Sequence, residues 1–210
     1  MVVVGAGLIG LATAYRLLEQ RPSIRLAVLD KEDAVGRHQS SHNSGVLHTG
    51  VYYPPGSLKA RLCRAGKAAV EGFASDHGIR FDRCGKLIVA RDRSELDRLA
   101  TLHQRAVANG VPGVSLVGPE GMAEIEPHAV GIKALRVPDA GIIDFAQVAE
   151  ACATEVTARG GEVLLRRLVT HVADAGNEAV VVTETEQLSA AAVVTCAGLQ
   201  ADRFGGHDGP

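Results

Sequence analysis

Apolar residues at the start of the chain fall in a pattern that predicts a strand, a helix and a second strand. The run from Val2 to Val4 is β-branched and continuous, as in a strand that is buried on both faces. From Leu11 to Glu19, apolar residues recur at helical spacing, which indicates an amphipathic helix. The segment from Ile24 to Asp30 is again short and apolar. This succession predicts two parallel strands connected by the helix.

Helical and strand-like patterns continue along the chain, although their order changes in the middle. Helical spacing predicts helices near 58–73, 94–109, 119–126 and 145–156, and strand-like runs occur at 86–90, 130–137, 162–172, 179–183 and 190–195. In the first of these helices, the apolar residues that are expected to face the core are Leu58, Leu62, Ala65, Ala69 and Phe73. Ser94 is expected to cap the second helix, with Asp97 three residues later.

Strands and helices no longer alternate regularly between residues 86 and 140, which indicates a separate layer or subdomain. We therefore predict an α/β protein in which residues 1–85 and 141–205 form one nucleotide-binding sheet. Residues 86–140 would be an inserted α+β subdomain. The last residues, 206–210, are rich in glycine and are expected to be a disordered tail.

Composition narrows the class of protein. The chain has 210 residues, of which 46% are hydrophobic and 22% charged, so it can form a substantial core. The formal net charge of -2 argues against a nucleic-acid partner, which would favour a basic surface. No two of the four cysteines have CxxC spacing, so free thiols in a reducing compartment are expected. The apolar N-terminus ends at Arg16 and Glu19, too early for a transmembrane segment.

A glycine-rich turn after the first strand carries the first functional signal. Gly5, Gly7 and Gly10 form a GxGxxG motif that opens a helix, and Asp30 ends the next strand twenty residues later. The glycines allow a tight turn, a close approach to a pyrophosphate and close helix–strand packing. Asp30 suits a ribose hydroxyl and disfavours a 2′-phosphate. The motif predicts a dinucleotide, either FAD or NAD.

A polar loop, SSHNSGVLHTG, occupies residues 40–50 and shows neither helical nor strand periodicity. Its two histidines are His42 and His48, and together with His38 they are spaced by four and six residues. Because the segment is glycine-rich and not helical, these side chains need not converge, and no metal site is predicted.

Longer motifs around this loop identify a family resemblance. GAGLIGLATAYRL, HNSGVLHTGVYYPPGSLKARLC, CGKLIVA and VVTCAGLQADR resemble segments of the FAD-dependent D-amino-acid oxidase-like superfamily. The second motif is the most specific, and with it the chain is most similar to the L-2-hydroxyglutarate oxidase/dehydrogenase branch. Members of this branch are about twice as long, so the chain is expected to correspond to their N-terminal half.

The resemblance implies a Rossmann-like FAD-binding domain of the glutathione-reductase type, with part of an inserted α+β substrate domain. It also implies FAD as cofactor and a set of cofactor-binding positions. These positions are Gly5, Gly7, Gly10, Asp30, Lys31, Arg37, Ser41, Asn43, Ser44, Gly45, Val169, Ala197 and Gly198.

The implied reaction oxidises a 2-hydroxy acid to a 2-oxo acid, and such a reaction needs a base for the hydroxyl proton. Histidine suits this role, and of His48 and His42 we favour His48 because glycines flank it. Lys59 and Arg61 are candidate cations for a dicarboxylate, and Tyr53 is a candidate hydroxyl donor.

Each of these residues also has a structural interpretation. The histidines could hold the loop through carbonyl groups, and the cations could lie in solvent at a helix start. Tyr52 and Tyr53 could pack in the core. Asp139 and Asp144 are interpreted as turn and N-cap residues.

Two alternatives stay open at this point. The chain could be an amine or amino-acid oxidase of the same superfamily, or an inactive nucleotide-binding remnant. The expected partners are a small 2-hydroxy acid and an electron acceptor, either oxygen or a quinone. The expected location is cytoplasmic, with peripheral membrane association allowed.

Overall fold

The computed structural model describes residues 1–204, which form an α/β fold. The predicted tail at 206–210 lies outside these residues. Five helices occur in this part of the chain: α1 (Leu8–Gln20), α2 (Leu58–Asp76), α3 (Leu96–Ala108), α4 (Pro119–Ile125) and α5 (Phe145–Ala158). The strands are β1 (Val2–Val4), β2 (Ala27–Leu29), β3 (Val46–Leu47), β4 (Phe81–Asp82), β5 (Lys86–Ala90), β6 (Ser115–Val117), β7 (Lys133–Val137), β8 (Gly141–Ile143), β9 (Glu162–Leu164), β10 (Val169–Asp174), β11 (Ala179–Thr183), β12 (Gln187–Ala190) and β13 (Val193–Thr195).

The chain divides into two compact units. The split unit joins Met1–Asn43 to the segment from Asp144 onward, and the inserted unit is Ser44–Ile143. The predicted boundary at residue 85 therefore lies inside the inserted unit. Helix α2 lies within this unit, and the strands β3 and β4 belong to it because β8 pairs with both of them.

The split unit contains a parallel sheet with strand order β13–β1–β2–β9. The predicted parallel pairing is confirmed, since Val3 lies opposite Val28. Helices α1 and α5 pack against each other, and Asp144 caps α5 by accepting hydrogen bonds from the amides of Ala146 and Gln147, as predicted. An antiparallel sheet, β10–β11–β12, completes this unit.

Two runs that were expected to be single strands are each divided between these sheets. The run 162–172 is split into β9 and β10, and the run 190–195 into β12 and β13. Periodicity alone did not locate these breaks, because each run stays apolar on both sides of its turn.

The inserted unit contains two antiparallel sheets, β3–β8–β4 and β5–β7–β6. Its core is formed around Leu135, Val137 and the buried face of α3. A short 3-10 turn precedes α3, and Asp92 caps that turn by accepting a hydrogen bond from the Ser94 amide. The prediction that Ser94 caps the helix is therefore wrong.

The buried face of α2 also differs from the predicted one. Its buried residues are Ala60, Lys67, Glu71 and Ala74, whereas Leu58 and Leu62 are about 60% exposed. The charged pair faces inward because it finds partners there. Lys67 Nζ lies 2.6 Å from Glu71 Oε1 and 3.1 Å from Asp139 Oδ1, and Arg83 Nη2 lies 2.9 Å from Glu71 Oε2.

Candidate functional site

The glycine turn between β1 and α1 is built so closely that two of its positions exclude a side chain. Gly5 has a φ of +107°, and a Cβ there would lie 2.4 Å from the Cys196 carbonyl oxygen. A Cβ on Gly10 would lie 1.9 Å from the carbonyl oxygen of Gly5. Gly10 therefore allows close packing of helix and turn, as the motif predicts.

The amino end of α1 is directed at a polar loop. Gly7 precedes the helix in an extended conformation, and a Cβ on it would lie 3.2 Å from Ser40 Oγ. The Leu8 amide donates a hydrogen bond to the same oxygen at 2.8 Å. The first turn of α1 has no acidic residue. The partial positive charge of the helix end is therefore available to an anion such as a phosphate.

Asp30 holds the turn from the neighbouring strand. Its Oδ2 accepts a hydrogen bond from the Ala6 amide at 2.6 Å, and its Oδ1 accepts one from the Glu32 amide at 2.9 Å. The carboxylate thus links the glycine turn to the segment that follows β2.

These elements border a cavity of about 220 Å³ that lies wholly within the split unit. A site for a drug-sized ligand usually measures about 300–1,000 Å³, so this cavity suits one portion of a dinucleotide. Of the predicted cofactor positions, those that line it are Gly5, Gly7, Asp30, Lys31, Arg37, Val169, Ala197 and Gly198.

Basic side chains at this cavity are paired with neighbouring acids. The Lys31 ammonium contacts the Glu32 carboxylate and lies 3.2 Å from His38 Nε2. The Lys31 hydrogen bond, followed by that of His38, holds the pKa of Glu32 below its ordinary value. Arg37 Nη2 lies 3.2 Å from Asp33 Oδ1. Part of the positive charge beside the cavity is therefore neutralised by these acids.

Other predicted residues of the split unit do not border the cavity. Gly10 packs behind the turn, and Ser41 Oγ donates to the Gly36 carbonyl at 2.7 Å. Asn43 Nδ2 donates to the carbonyls of Gln39 and Ser40 at 3.0 and 2.9 Å. These two side chains organise their own loop.

His42 is also tied to that loop, since its Nδ1 lies 2.9 Å from the His38 carbonyl oxygen. Sequence reasoning missed Ser40, which lines the cavity and contacts α1. Extending the quoted cofactor segment by one residue would have included it. It also missed Arg167 and Phe204, for which the sequence carries no motif.

In the inserted unit, Ser44 is exposed and Gly45 has a φ of +68°. The Gly45 carbonyl accepts a hydrogen bond from the Ile143 amide at 2.8 Å, which fixes the start of β3. His48 follows β3. Desolvation, and after it the charge of Lys86, lowers the pKa of His48 below 6.5. Its imidazole is therefore neutral at pH 7 and can accept a proton.

Lys86 and Cys63 complete the neighbourhood of His48. The Lys86 ammonium lies 4.5 Å from the centre of the Tyr52 ring and 3.4 Å from its hydroxyl. Cys63 Sγ donates to the His48 carbonyl at 3.3 Å, and desolvation raises the pKa of this thiol.

The predicted substrate residues lie at the start of α2. Lys59 and Arg61 are exposed there, whereas Tyr53 is half-buried and its carbonyl accepts a hydrogen bond from Asn109 Nδ2 at 3.0 Å. Residues 1–204 contain no group of three or more His, Cys, Asp or Glu side chains that could hold a metal ion. In the same range, no helix combines the length and apolar character that crossing a bilayer requires.

Comparison with curated proteins gives relatives at substantial identity. The chain is 40% identical over 204 residues to the L-2-hydroxyglutarate dehydrogenase of Escherichia coli strain K12, covering 97% of this chain and 48% of that protein. It is 39% identical over 216 residues to the mitochondrial L-2-hydroxyglutarate dehydrogenase of Homo sapiens, covering 97% of this chain and 47% of that protein. The chain thus spans about half the length of the curated relatives it matches.

Solved structures show the same fold. Glycine oxidase from Geobacillus kaustophilus matches 97% of this chain and 56% of its own, with a TM-score of 0.85 and 25% identity. L-proline dehydrogenase from P. horikoshii matches 97% of this chain and 54% of its own, with a TM-score of 0.84 and 21% identity. These matches confirm the predicted Rossmann-like FAD-binding fold.

A family model described as "DAO: FAD dependent oxidoreductase" matches residues 1–210. The glycine turn, Asp30 and the cavity beside them fit the nucleotide part of the cofactor that this description names. The chain belongs to the DAO family of FAD-dependent oxidoreductases.

Proposed function

We propose that this protein oxidises a 2-hydroxy acid, L-2-hydroxyglutarate, to the corresponding 2-oxo acid. The observation that carries the proposal is the identity of about 40% to L-2-hydroxyglutarate dehydrogenases along 97% of the chain. The family membership and the nucleotide cavity of the split unit support it. In this proposal the electron acceptor is oxygen or a quinone, and the protein works in the cytoplasm, with peripheral membrane association allowed.

The split unit binds the adenosine and pyrophosphate parts of FAD. Gly7 and the amino end of α1 receive the pyrophosphate, because the backbone approaches closely there and the helix dipole favours an anion. Val169, Ala197 and Gly198 border the same cavity. When bound, FAD supplies the acceptor for the hydride that leaves the substrate carbon.

The inserted unit supplies the base. The neutral imidazole of His48 accepts the hydroxyl proton of the substrate at a ring nitrogen. Desolvation and the Lys86 charge keep this imidazole unprotonated near neutral pH. His42 is the second candidate, but its Nδ1 already faces the His38 carbonyl.

Asp30→Asn is expected to weaken FAD binding about 10- to 100-fold, because charge-assisted hydrogen bonds contribute about 1.5–3 kcal/mol. The variant replaces the carboxylate that accepts from the amides of Ala6 and Glu32. Fluorescence titration with FAD measures the effect. Asp174→Asn is the matched control, since Asp174 is exposed and its carboxylate accepts a hydrogen bond from the Gly176 amide, outside the glycine turn. Equal FAD affinity in both variants would contradict the role of Asp30.

His48→Ala is expected to slow flavin reduction by L-2-hydroxyglutarate by about 10²- to 10⁴-fold, as for loss of a general base. FAD affinity should stay unchanged. In the unsubstituted protein the reduction rate should rise with pH to a plateau, and the midpoint of the rise should lie below pH 6.5 because the pKa of His48 is lowered from that value. Anaerobic stopped-flow measurement follows both effects. His128→Ala is the control, because His128 is a histidine of the same unit that follows α4 and is not part of the loop that contains His48.

The substrate itself is tested with a panel that contains L-2-hydroxyglutarate, its D enantiomer, glycine and L-proline. Reduction by L-2-hydroxyglutarate alone supports the proposal. Reduction only by the amino acids would assign the protein to amine oxidation instead. FAD binding without reduction by any of them would identify a nucleotide-binding remnant.

A further inference from the structure

Lys86 is a half-buried lysine whose charge no carboxylate neutralises within the part of the chain that the structure describes. It differs in this from Lys67, which contacts both Glu71 and Asp139. It also differs from Lys59 and Lys133, which are exposed and therefore solvated. A cation that is partly removed from water without an acidic partner is suited to an anionic ligand.

The surroundings of Lys86 provide a matching set of hydrogen-bond donors. An ammonium group has three N–H donors, and the Tyr52 hydroxyl, at 3.4 Å, takes one of them. The Tyr52 hydroxyl keeps its own O–H for donation. Two neighbouring groups can therefore donate to the two oxygens of one carboxylate.

The backbone holds both residues in place. Lys86 begins β5 and lies opposite Val137 of β7, so its position is fixed by a sheet. The Tyr52 carbonyl accepts a hydrogen bond from Arg105 Nη1 at 3.3 Å. Sites on strands are held more precisely than sites on loops.

We propose that Lys86 and Tyr52 form a subsite near His48 that binds one carboxylate of the substrate. The subsite rests on the proposed function, because it uses the carboxylates of a 2-hydroxy acid and the proton acceptor His48. In this proposal the cation that binds the substrate carboxylate is Lys86, rather than the candidates Lys59 and Arg61. Tyr52, which the Lys86 ammonium contacts, follows His48 by four residues in the chain, so the subsite includes the segment that carries the base. The Lys86 charge, after desolvation, also lowers the pKa of His48.

The probe is glutarate, a dicarboxylate that has no hydroxyl group to be oxidised. Titration of the FAD-loaded chain is followed through the NMR resonances of the His48 imidazole. Lys86→Met is expected to weaken glutarate binding about 10- to 100-fold, because it removes a charge-assisted contact. Tyr52→Phe keeps the ring under the ammonium and removes only the hydroxyl, so a smaller loss is expected.

Lys133→Met, at an exposed lysine of the neighbouring strand β7, is the matched control and should bind glutarate like the unsubstituted protein. Circular dichroism melting of each variant separates loss of folding from loss of the ligand. The subsite is overturned if glutarate does not bind, if Lys86→Met binds it normally, or if Lys59→Met causes the larger loss.

Flavin reduction distinguishes failure of the subsite from failure of the proposed function. If L-2-hydroxyglutarate reduces the flavin with the same KM in Lys86→Met as in Lys133→Met, the subsite is wrong and the function stands. If glutarate binding depends on Lys86 but only amino acids reduce the flavin, the anion subsite stands and the function is wrong. A raised KM for L-2-hydroxyglutarate in Lys86→Met supports both.

Discussion

Gly10→Ala is expected to destabilise the split unit by about 3 kcal/mol and to abolish FAD binding, since overpacking of a tight contact costs this much. The added Cβ would lie 1.9 Å from the Gly5 carbonyl oxygen. This oxygen cannot easily retreat, because its peptide unit also contains the Ala6 amide, which donates a hydrogen bond to Asp30 Oδ2 at 2.6 Å. Chemical denaturation and FAD titration measure the two effects.

The control for Gly10→Ala is the same substitution at Gly66. Gly66 is an exposed residue of α2, and a Cβ there would meet no atom within 4 Å. Alanine is a better helix former than glycine, so Gly66→Ala should stabilise the protein by about 0.5–1 kcal/mol. Opposite signs at the two glycines are expected. A Gly10→Ala variant that unfolds at the ordinary denaturant concentration and still binds FAD would refute the steric argument.

Glu71→Gln is expected to lower the free energy of unfolding by about 3 kcal/mol, because it breaks a buried ion pair from one side. Lys67 would then lose the nearer of its two carboxylates, while Glu71 would no longer neutralise Arg83. Urea denaturation checks this value. Glu19→Gln breaks the exposed pair with Arg16 and should change stability by less than about 1 kcal/mol.

The same carboxylate predicts a pH dependence. The Arg83 guanidinium first, and then the Lys67 ammonium, hold the pKa of Glu71 below its ordinary value of 4.5 although burial opposes them. Its contribution to stability is therefore fully present above pH 4.5 and is lost as the pH falls through the lowered pKa. Glu71→Gln should flatten this part of the stability profile. We attribute the loss of stability in Glu71→Gln to a buried Lys67 ammonium that has lost its nearer carboxylate. A Lys67→Met/Glu71→Leu double variant removes both charges of the pair. A larger loss of stability in this double variant than in Glu71→Gln would refute that attribution.

The sequence predicted those parts of the fold in which local pattern and tertiary environment agree. The parallel pairing of β1 and β2 and the cap at Asp144 are examples. Helix α2 is the opposite case. Its hydrophobic stripe suggested that Leu58 and Leu62 face the core, but Lys67 and Glu71 are buried instead. Their partners Arg83 and Asp139 are distant in sequence, so no local pattern could reveal them.

The candidate site shows the same limit. Gly5, Gly7 and Asp30 were found because a motif of fixed spacing carries them, and all three line the cavity. Lys86 lies in the CGKLIVA segment that carries part of the family resemblance, but no local pattern marks it as a substrate residue. Its relation to Tyr52 depends on a strand and a turn that approach only in the folded unit.

The hydrogen bonds of Asp30 have a consequence for the thermodynamics of cofactor uptake. Fixing the backbone of one residue costs about 1–2 kcal/mol of conformational entropy. Because Asp30 holds the amides of Ala6 and Glu32, the backbone at these residues has already lost its conformational entropy when the split unit folds. FAD then meets a turn that is already ordered, so its contacts there contribute to affinity with little entropic loss.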